Sequence, residues 1–410
     1  MSENRVVITG VGTVNPLGYG SKNLFNLLKE NKSAIKKMPF WSEYEGLRSL
    51  VAAPCTIEGE RDIPRKQRRS MSPMSIMAVQ AAEEALEDAG LGLNDIQGGK
   101  CGCVSGSTMG SAKVINEAYE IVLPEKDFTK LTSMMFFKCM AHSVSANLAQ
   151  YFSLSGVVMA TSAACASSLQ AVGTGYDLIR SGRQEIMICG GSEEIHPTVT
   201  GIFDLLYATS VNYNETPELT PRPFDLKRDG LVCGEGAGIL ILENFESAKK
   251  RGASIYGEII GYNTAGSGAH VSQSNTRAMI RCMRDALDDA QISSSDINYV
   301  NAHATGTIQG DAAEAAAIGE VFGNNIPVSS LKGYFGHTLG ASGAIELIAT
   351  LMMMKEKTLI PSRNLAQVAE DCAMIEHIQQ LSEIKTMKYI IKNGFAFGGV
   401  NASLICSLKI

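Results

Sequence analysis

The chain repeats itself. Ala85-Leu86-Glu87-Asp88-Ala89-Gly90-Leu91, followed by Asp95-Ile96, returns at a constant offset as Ala286-Leu287-Asp288-Asp289-Ala290-Gln291-Ile292, followed by Asp296-Ile297. Each copy closes a helical pattern and leads into a strand pattern, Cys101-Gly102-Cys103-Val104-Ser105-Gly106 in the first and Tyr299-Val300-Asn301-Ala302 in the second. The likeness continues downstream. Pro327-Val328-Ser329-Ser330, a run of small residues and a helix from Ala341 to Lys355 mirror the strand, small residues and helix around Cys165. Glu185 to Gly191 is echoed by Tyr389 to Gly394. Similarity of this length restricts the fold to two α/β units related by duplication, residues 1–252 and 253–410. If the units pack face to face, their corresponding loops meet at one site.

Length agrees with a doubled unit, since 410 residues exceed the usual single-domain size. An apolar share of 45% and a charged share of 19% allow a large core and argue against a disordered portion. Apolar runs such as Gly238 to Leu242 are too short to cross a bilayer, so no membrane span is expected. The N-terminus enters a strand at once, without the layout of a signal peptide, and a cytoplasmic location is expected. A net charge of −6 argues against nucleic acid as a partner. The ten cysteines are irregularly spaced and read as reduced thiols. Cys101 and Cys103 lack the second pair or nearby histidine that a zinc site needs, and no metal is expected.

Val6 to Asn15 starts like a dinucleotide-binding fingerprint, but the third glycine falls at Asn15 and Pro16 follows, so a strand and turn are expected. Between Arg61 and Arg69 positive charge clusters in a chain that is acidic overall. A solvated face is the default reading, and docking of an acidic partner the alternative.

Gly156 to Gln170 reads as a short apolar strand, a tight run of small residues and the first turn of a helix, with Cys165 at the joint. Free cysteine often packs as a small hydrophobe. At a helix start, however, unpaired backbone N–H groups and the helix dipole favour a thiolate, and Ala163, Ala164 and Ala166 leave room for a long substrate. The expectation is a nucleophile for acyl transfer. Two histidine loops lie far downstream, Asn301-Ala302-His303-Ala304-Thr305-Gly306-Thr307 and Lys332-Gly333-Tyr334-Phe335-Gly336-His337-Thr338-Leu339-Gly340. Asn393 to Asn401 is a glycine-rich turn between strands.

Taken with Arg222-Pro223-Phe224-Asp225, Arg228-Asp229-Gly230 and Gly234-Glu235-Gly236-Ala237-Gly238, these motifs resemble the β-ketoacyl-[acyl carrier protein] synthases, nearly end to end. The likeness is to the elongating Cys-His-His type of the thiolase-like superfamily. It implies a duplicated thiolase-like α/β fold in five layers, αβαβα. It also implies a synthase II-like acyltransferase that joins an acyl thioester to malonyl-[acyl carrier protein] with loss of carbon dioxide. Alternatives are a synthase of a specialised lipid or polyketide pathway, a non-catalytic chain-length partner and, more weakly, a thiol-directed acyl hydrolase.

By the same resemblance, Cys165 takes the acyl chain, while His303 and His337 assist decarboxylation and stabilise the enolate. Lys332 supports the triad with Glu346 as its acidic partner, although a surface ion pair is the plainer reading of those two. The N–H groups of Cys165 and Phe397 form the oxyanion hole, and Phe397 gates the nucleophile. Thr305 and Thr307 hold the phosphopantetheine arm. Phe395 and Gly398 complete the substrate-binding turn, and Met109 and Phe203 line the acyl pocket. Arg65, Lys66, Arg68 and Arg69 match the carrier-docking region, while Tyr207 stands where a second basic docking residue is common, so the first patch is expected to dominate docking. Expected partners are acyl carrier protein and a second copy in a homodimer, or a paralogous ketosynthase-like subunit in a heterodimer. No cofactor is implied beyond the arm that the carrier brings. Two departures from the pattern stand out: Phe335 replaces a threonine, and the loop 265–271 lacks an acidic residue and is shortened.

Overall fold

The computed structural model describes residues 3–408. Ten strands and seven helices position the site. In the first half they are β1 (Val6–Asn15), α1 (Pro73–Ala89), β2 (Cys101–Gly106), α2 (Ser143–Phe152), β3 (Val158–Thr161), α3 (Ser167–Arg180), β4 (Ile186–Glu193), α4 (Pro197–Leu205) and β5 (Gly236–Asn244). In the second half they are β6 (Gly257–Gly266), α5 (Thr276–Ala290), β7 (Tyr299–Asn301), α6 (Ile308–Phe322), β8 (Pro327–Ser329), α7 (Ser342–Glu356), β9 (Tyr389–Phe395) and β10 (Val400–Ser407).

The first half orders its strands β3-β2-β4-β5-β1, and the second repeats the order as β8-β7-β9-β10-β6. Pairing direction repeats as well. The β2–β3, β2–β4, β7–β8 and β7–β9 pairs are parallel, and the remaining neighbours within each half are antiparallel. The halves are stitched where Val6 to Ile8 of β1 run antiparallel to Gly257 to Ile259 of β6. α3 and α7 pack on each other and on strands of both halves, which makes them the inner layer. α1 with α2 covers one outer face and α5 with α6 the other, giving five layers. The fold is thiolase-like, as the sequence resemblance implies.

Local chemistry explains these elements. Strands covered on both faces need continuous apolar runs, and β1, β2, β4 and β5 are buried almost throughout. α7 is buried from Ser342 to Met354, as an inner helix must be. The repeated motif ends α1 and α5 in the same left-handed cap, at Gly90 (φ 65°) and at Gln291 (φ 53°). The next residue then donates to a carbonyl five positions back, Leu91 to Leu86 and Ile292 to Leu287. None of the helices among the described residues is long and apolar enough to cross a membrane.

β3 ends the strand path and is unusual in being open. Val158 and Met159 are 43% and 44% exposed, on a strand that leads straight into the turn carrying Cys165.

Candidate active site

Cys165 sits between β3 and α3 on a turn whose preceding residue, Ala164, has a φ of 46°, a conformation that non-glycine residues adopt at a cost. Hydroxyls hold the turn closed. The Ala163 N–H donates to Ser167 Oγ (2.8 Å), Ser167 Oγ donates to the Ala164 carbonyl (2.6 Å), and Thr161 Oγ1 donates to the Ser167 carbonyl (2.8 Å). The helix can come this close to β2 because Gly106 lacks a side chain, since a Cβ there would meet the Ser167 carbonyl carbon at 2.4 Å.

His303 follows β7, and two carboxylates of α6 bend its loop inward. Glu314 accepts from the N–H groups of His303 (2.8 Å) and Ala304 (2.7 Å). Asp311 accepts from Thr305, Gly306 and Phe224. His337 is clamped by its own backbone, its N–H donating to the Val232 carbonyl (2.7 Å) and its carbonyl accepting from Gly234 (2.8 Å). Folding thus brings Cys165 Sγ and one nitrogen of each imidazole within 4.8 Å of one another. The two rings meet edge to face with centroids 5.1 Å apart. Neither ring nitrogen of His337 has a hydrogen-bond partner among the described residues, which leaves them available to a substrate atom.

Behind the imidazoles lies a buried charge triplet. Glu346 Oε1 accepts from Ser342 and faces the Lys332 ammonium at 2.6 Å, off the hydrogen-bond axis, and Oε2 accepts from Lys392 at 2.6 Å. All three residues are buried, so the surface-pair reading of Lys332 and Glu346 is overturned. Burial alone would push the Glu346 carboxyl up, but the two ammonium groups bring it down to about 2. Burial and the Glu346 carboxylate pull Lys392 in opposite directions, and burial prevails, lowering it to about 8. Burial first and the Lys332 charge second hold both histidines well below their ordinary 6.5, so both rings are neutral at pH 7.

The thiol requires a correction. The helix start led to the expectation of a thiolate, yet burial pushes Cys165 up to about 12, and the pull of Lys332 offsets only part of this. At rest Cys165 is a neutral thiol beside two neutral imidazoles, so any attack by its sulfur must be coupled to proton transfer. Nearby, burial raises the Glu193 carboxyl to about 7 although it accepts from Thr108, Gly340 and Ser107. This residue ties a loop of the first half to one of the second.

One cavity, of about 60 Å³, contains Cys165, His303 and His337 together with Thr305, Thr307, Phe395 and Phe397. It has room for a few waters and none for an acyl chain. Two loops cover it, and they are latched by Gly398 N–H to the Val271 carbonyl (2.7 Å) and Ser267 N–H to the Gly399 carbonyl (2.8 Å). Gly398 is therefore part of the latch and not of the wall. Met109 is 42% exposed and, like Phe203, lies outside this wall, although the Phe203 ring meets that of Phe397 at 5.8 Å between centroids. Arg65, Lys66, Arg68 and Arg69 lie against α2, away from the cavity, with Arg68 paired to Glu60. Phe335 is fully buried in the core.

Sequence reasoning missed Asp311, Glu314, Lys392 and Glu193. For the first two a signal was present, acidic residues three apart at the start of a helix otherwise rich in small residues.

Residues 3–248 match the family model described as Beta-ketoacyl synthase, N-terminal domain, and residues 256–366 match Beta-ketoacyl synthase, C-terminal domain. The chain is 36% identical to 3-oxoacyl-[acyl-carrier-protein] synthase 1 of Haemophilus influenzae, covering 98% of each chain. It superposes on the crystal structure of a beta-ketoacyl synthase from Burkholderia phymatum with a TM-score of 0.95 and 44% identity, covering 98% of this chain and 99% of the other. It also superposes on a type II polyketide ketosynthase, bound to a hexaketide and solved in complex with its acyl-carrier protein. That match has a TM-score of 0.91 and 32% identity over 99% of each chain.

Proposed function

The chain belongs to the beta-ketoacyl synthase family of condensing enzymes that lengthen acyl chains, and we propose that Cys165, His303 and His337 carry the chemistry on thioesters delivered by an acyl carrier protein. The observation that carries this reading is the meeting of one sulfur from the first half with two neutral imidazoles from the second.

In the loading step the Cys165 thiol gives its proton to an imidazole as sulfur attacks the acyl carbonyl. The C–S bond to the arm then breaks, and the departing thiolate takes the proton. In the second step the malonyl carboxylate leaves as carbon dioxide, and its C–C electron pair forms an enolate whose oxygen accepts hydrogen bonds from the two imidazoles. The enolate carbon attacks the acyl-cysteine, the C–S bond breaks, and the released Cys165 thiolate takes up a proton from water in place of the one that left on the arm thiol. Neutral rings can donate such bonds, and the buried Lys332 charge keeps them neutral. The Cys165 and Phe397 N–H groups serve as the oxyanion hole. The sequence moves no electrons to an acceptor and asks for no redox cofactor.

The arm passes Thr305 and Thr307, and the loop latch opens to admit the acyl chain, which extends towards Phe203 and Met109. The Arg65–Arg69 cluster steers an acidic carrier. The open edge of β3, with its exposed Val158 and Met159, favours a second copy pairing there as a homodimer. Intact-protein mass spectrometry with a panel of acyl-carrier proteins tests the reading and reports whether chain-length selectivity is synthase II-like. The wild type gains the acyl mass, and Cys165→Ser loses loading by at least roughly three orders of magnitude. Equal loading of the two proteins would overturn the assignment.

A further inference from the structure

A buried ammonium is costly to keep, and the steps described above make no use of the one on Lys392. Its side chain is 1% exposed, inside β9 and opposite Asn301 of β7, two residues before His303. Nζ donates to Glu346 Oε2 and to the Asn393 carbonyl, both at 2.6 Å. Glu346 is thereby held by one oxygen, while its other oxygen meets the Ser342 hydroxyl at 2.7 Å and the Lys332 ammonium. The Lys332 ammonium has no hydrogen-bond acceptor among the described residues.

The charges decide what this arrangement does. Lys392 is faced by Glu346 from α7, by Lys332 from the turn after β8 and by Glu314 from α6, which accepts from the His303 and Ala304 N–H groups as a carboxylate does. The same charges act on His303, His337 and the Tyr299 hydroxyl. Two carboxylates therefore oppose two ammonium groups around the imidazoles, and the set balances only while Lys392 is charged. Without that charge the set is net negative. A negative surround favours protonated imidazole, and it opposes the charge that forms on a thioester oxygen as carbon dioxide leaves. Burial keeps such an effect from being screened by salt.

We propose that Lys392 is a positioning residue for decarboxylation, whose ammonium pins Glu346 and balances the buried carboxylates so that Lys332 can act on the two imidazoles. The proposal rests on the reading of His303 and His337 given above. Its signature is an alkaline limb in the rate. Burial, only partly offset by Glu346, lowers Lys392 to about 8. The side chain is charged below that pH and neutral above it, so carbon dioxide release should slow as the pH rises through about 8. The buried groups that titrate closest to this value, Glu193 and Asp311 at about 7, are carboxyls. Ionisation of a carboxyl takes up almost no heat, whereas ionisation of an ammonium takes up much, so temperature tells them apart.

The test follows carbon dioxide release from malonyl-N-acetylcysteamine, a small thioester with no carrier protein to titrate, from about pH 6 to about pH 9.5. The wild type should show the limb, with a midpoint that moves to lower pH on warming. Lys392→Met, of similar length and uncharged, should lose about tenfold in kcat at neutral pH with KM little changed, and should lose the limb as well. Lys392→Gln, which keeps donors for Glu346 and Asn393 but no charge, should do the same. A wild-type midpoint that ignores temperature, a limb that persists in either variant, or a variant with lower melting temperature and a wild-type rate profile would overturn the role of Lys392. Failure of the wild type to release carbon dioxide at any pH would instead sink the condensing reading.

Discussion

Set side by side, the turns that open the two inner helices share a backbone and differ in what they present. Ala164 and Leu339 each lie three residues before the helix start, at Ser167 and Ser342, and have φ values of 46° and 48°. The next residue is Cys165 in the first half and Gly340 in the second. At Gly340 a Cβ would meet Glu193 Oε2 at 2.6 Å and Ser107 Cα at 2.8 Å, so this position has no room for a side chain. The second turn instead presents its reactive group earlier, at His337, whose counterpart in the first half is Ser162. Under the proposed function, one scaffold used twice supplies a nucleophile from one copy and proton chemistry from the other. Their surroundings differ in the same sense. Hydroxyls and backbone atoms hold the cysteine turn, while the histidines have a buried ion triplet behind them.

The sharpest way to break this contrast is to remove the centre of the triplet. Glu346→Gln leaves Lys332 and Lys392 buried without a counter-charge and should cost about 3–5 kcal/mol of stability in denaturant unfolding. A loss below about 1 kcal/mol would mean that the two ammonium groups are not both charged. Gly340→Ala should come next, costing about 2 kcal/mol by forcing apart Glu193 and the Ser107 loop, and a melting temperature equal to that of the wild type would deny the packing asymmetry between the turns.

The third effect is on pH dependence. At about pH 5.5, an imidazole titrating at its usual value would be roughly nine-tenths protonated and would slow decarboxylation about tenfold. With both histidines held well below 6.5, carbon dioxide release from a malonyl thioester should keep its plateau there. A midpoint near 6.5 in the rate profile would refute the assignment of neutral rings. The sign for stability follows from the same depression. Below 6.5 the unfolded chain takes up protons that the folded rings refuse, so this contribution is full above 6.5 and declines as the pH falls.

The duplication was legible because both copies of the helix end obey the same capping rule, with Gly90 and Gln291 in one role. Cys165 was legible because it stands in a run of small residues between a strand and a helix, and the two histidines because each stands in a loop with glycine and threonine beside it. Lys392 was not, because within β9 it reads as an outward-facing residue, and only the packing of α7 over that strand turns it towards Glu346. The state of the Cys165 thiol was illegible for a related reason. Its local sequence reports the helix start, but in the fold it lies buried in a chamber that residues around 267–275 and 395–399, from the other half of the chain, also line.

The open rim of β3 bears on the reactivity of Cys165. The ribbon that ends the sheet runs without a break into the strained corner beneath the sulfur, so whatever zips onto Val158 to Thr161 also braces that corner. A lone copy would carry its reactive atom on a loose hem, and a partnered one on a stitched seam. Company between subunits would then be a setting of the catalyst as well as a fact about its size.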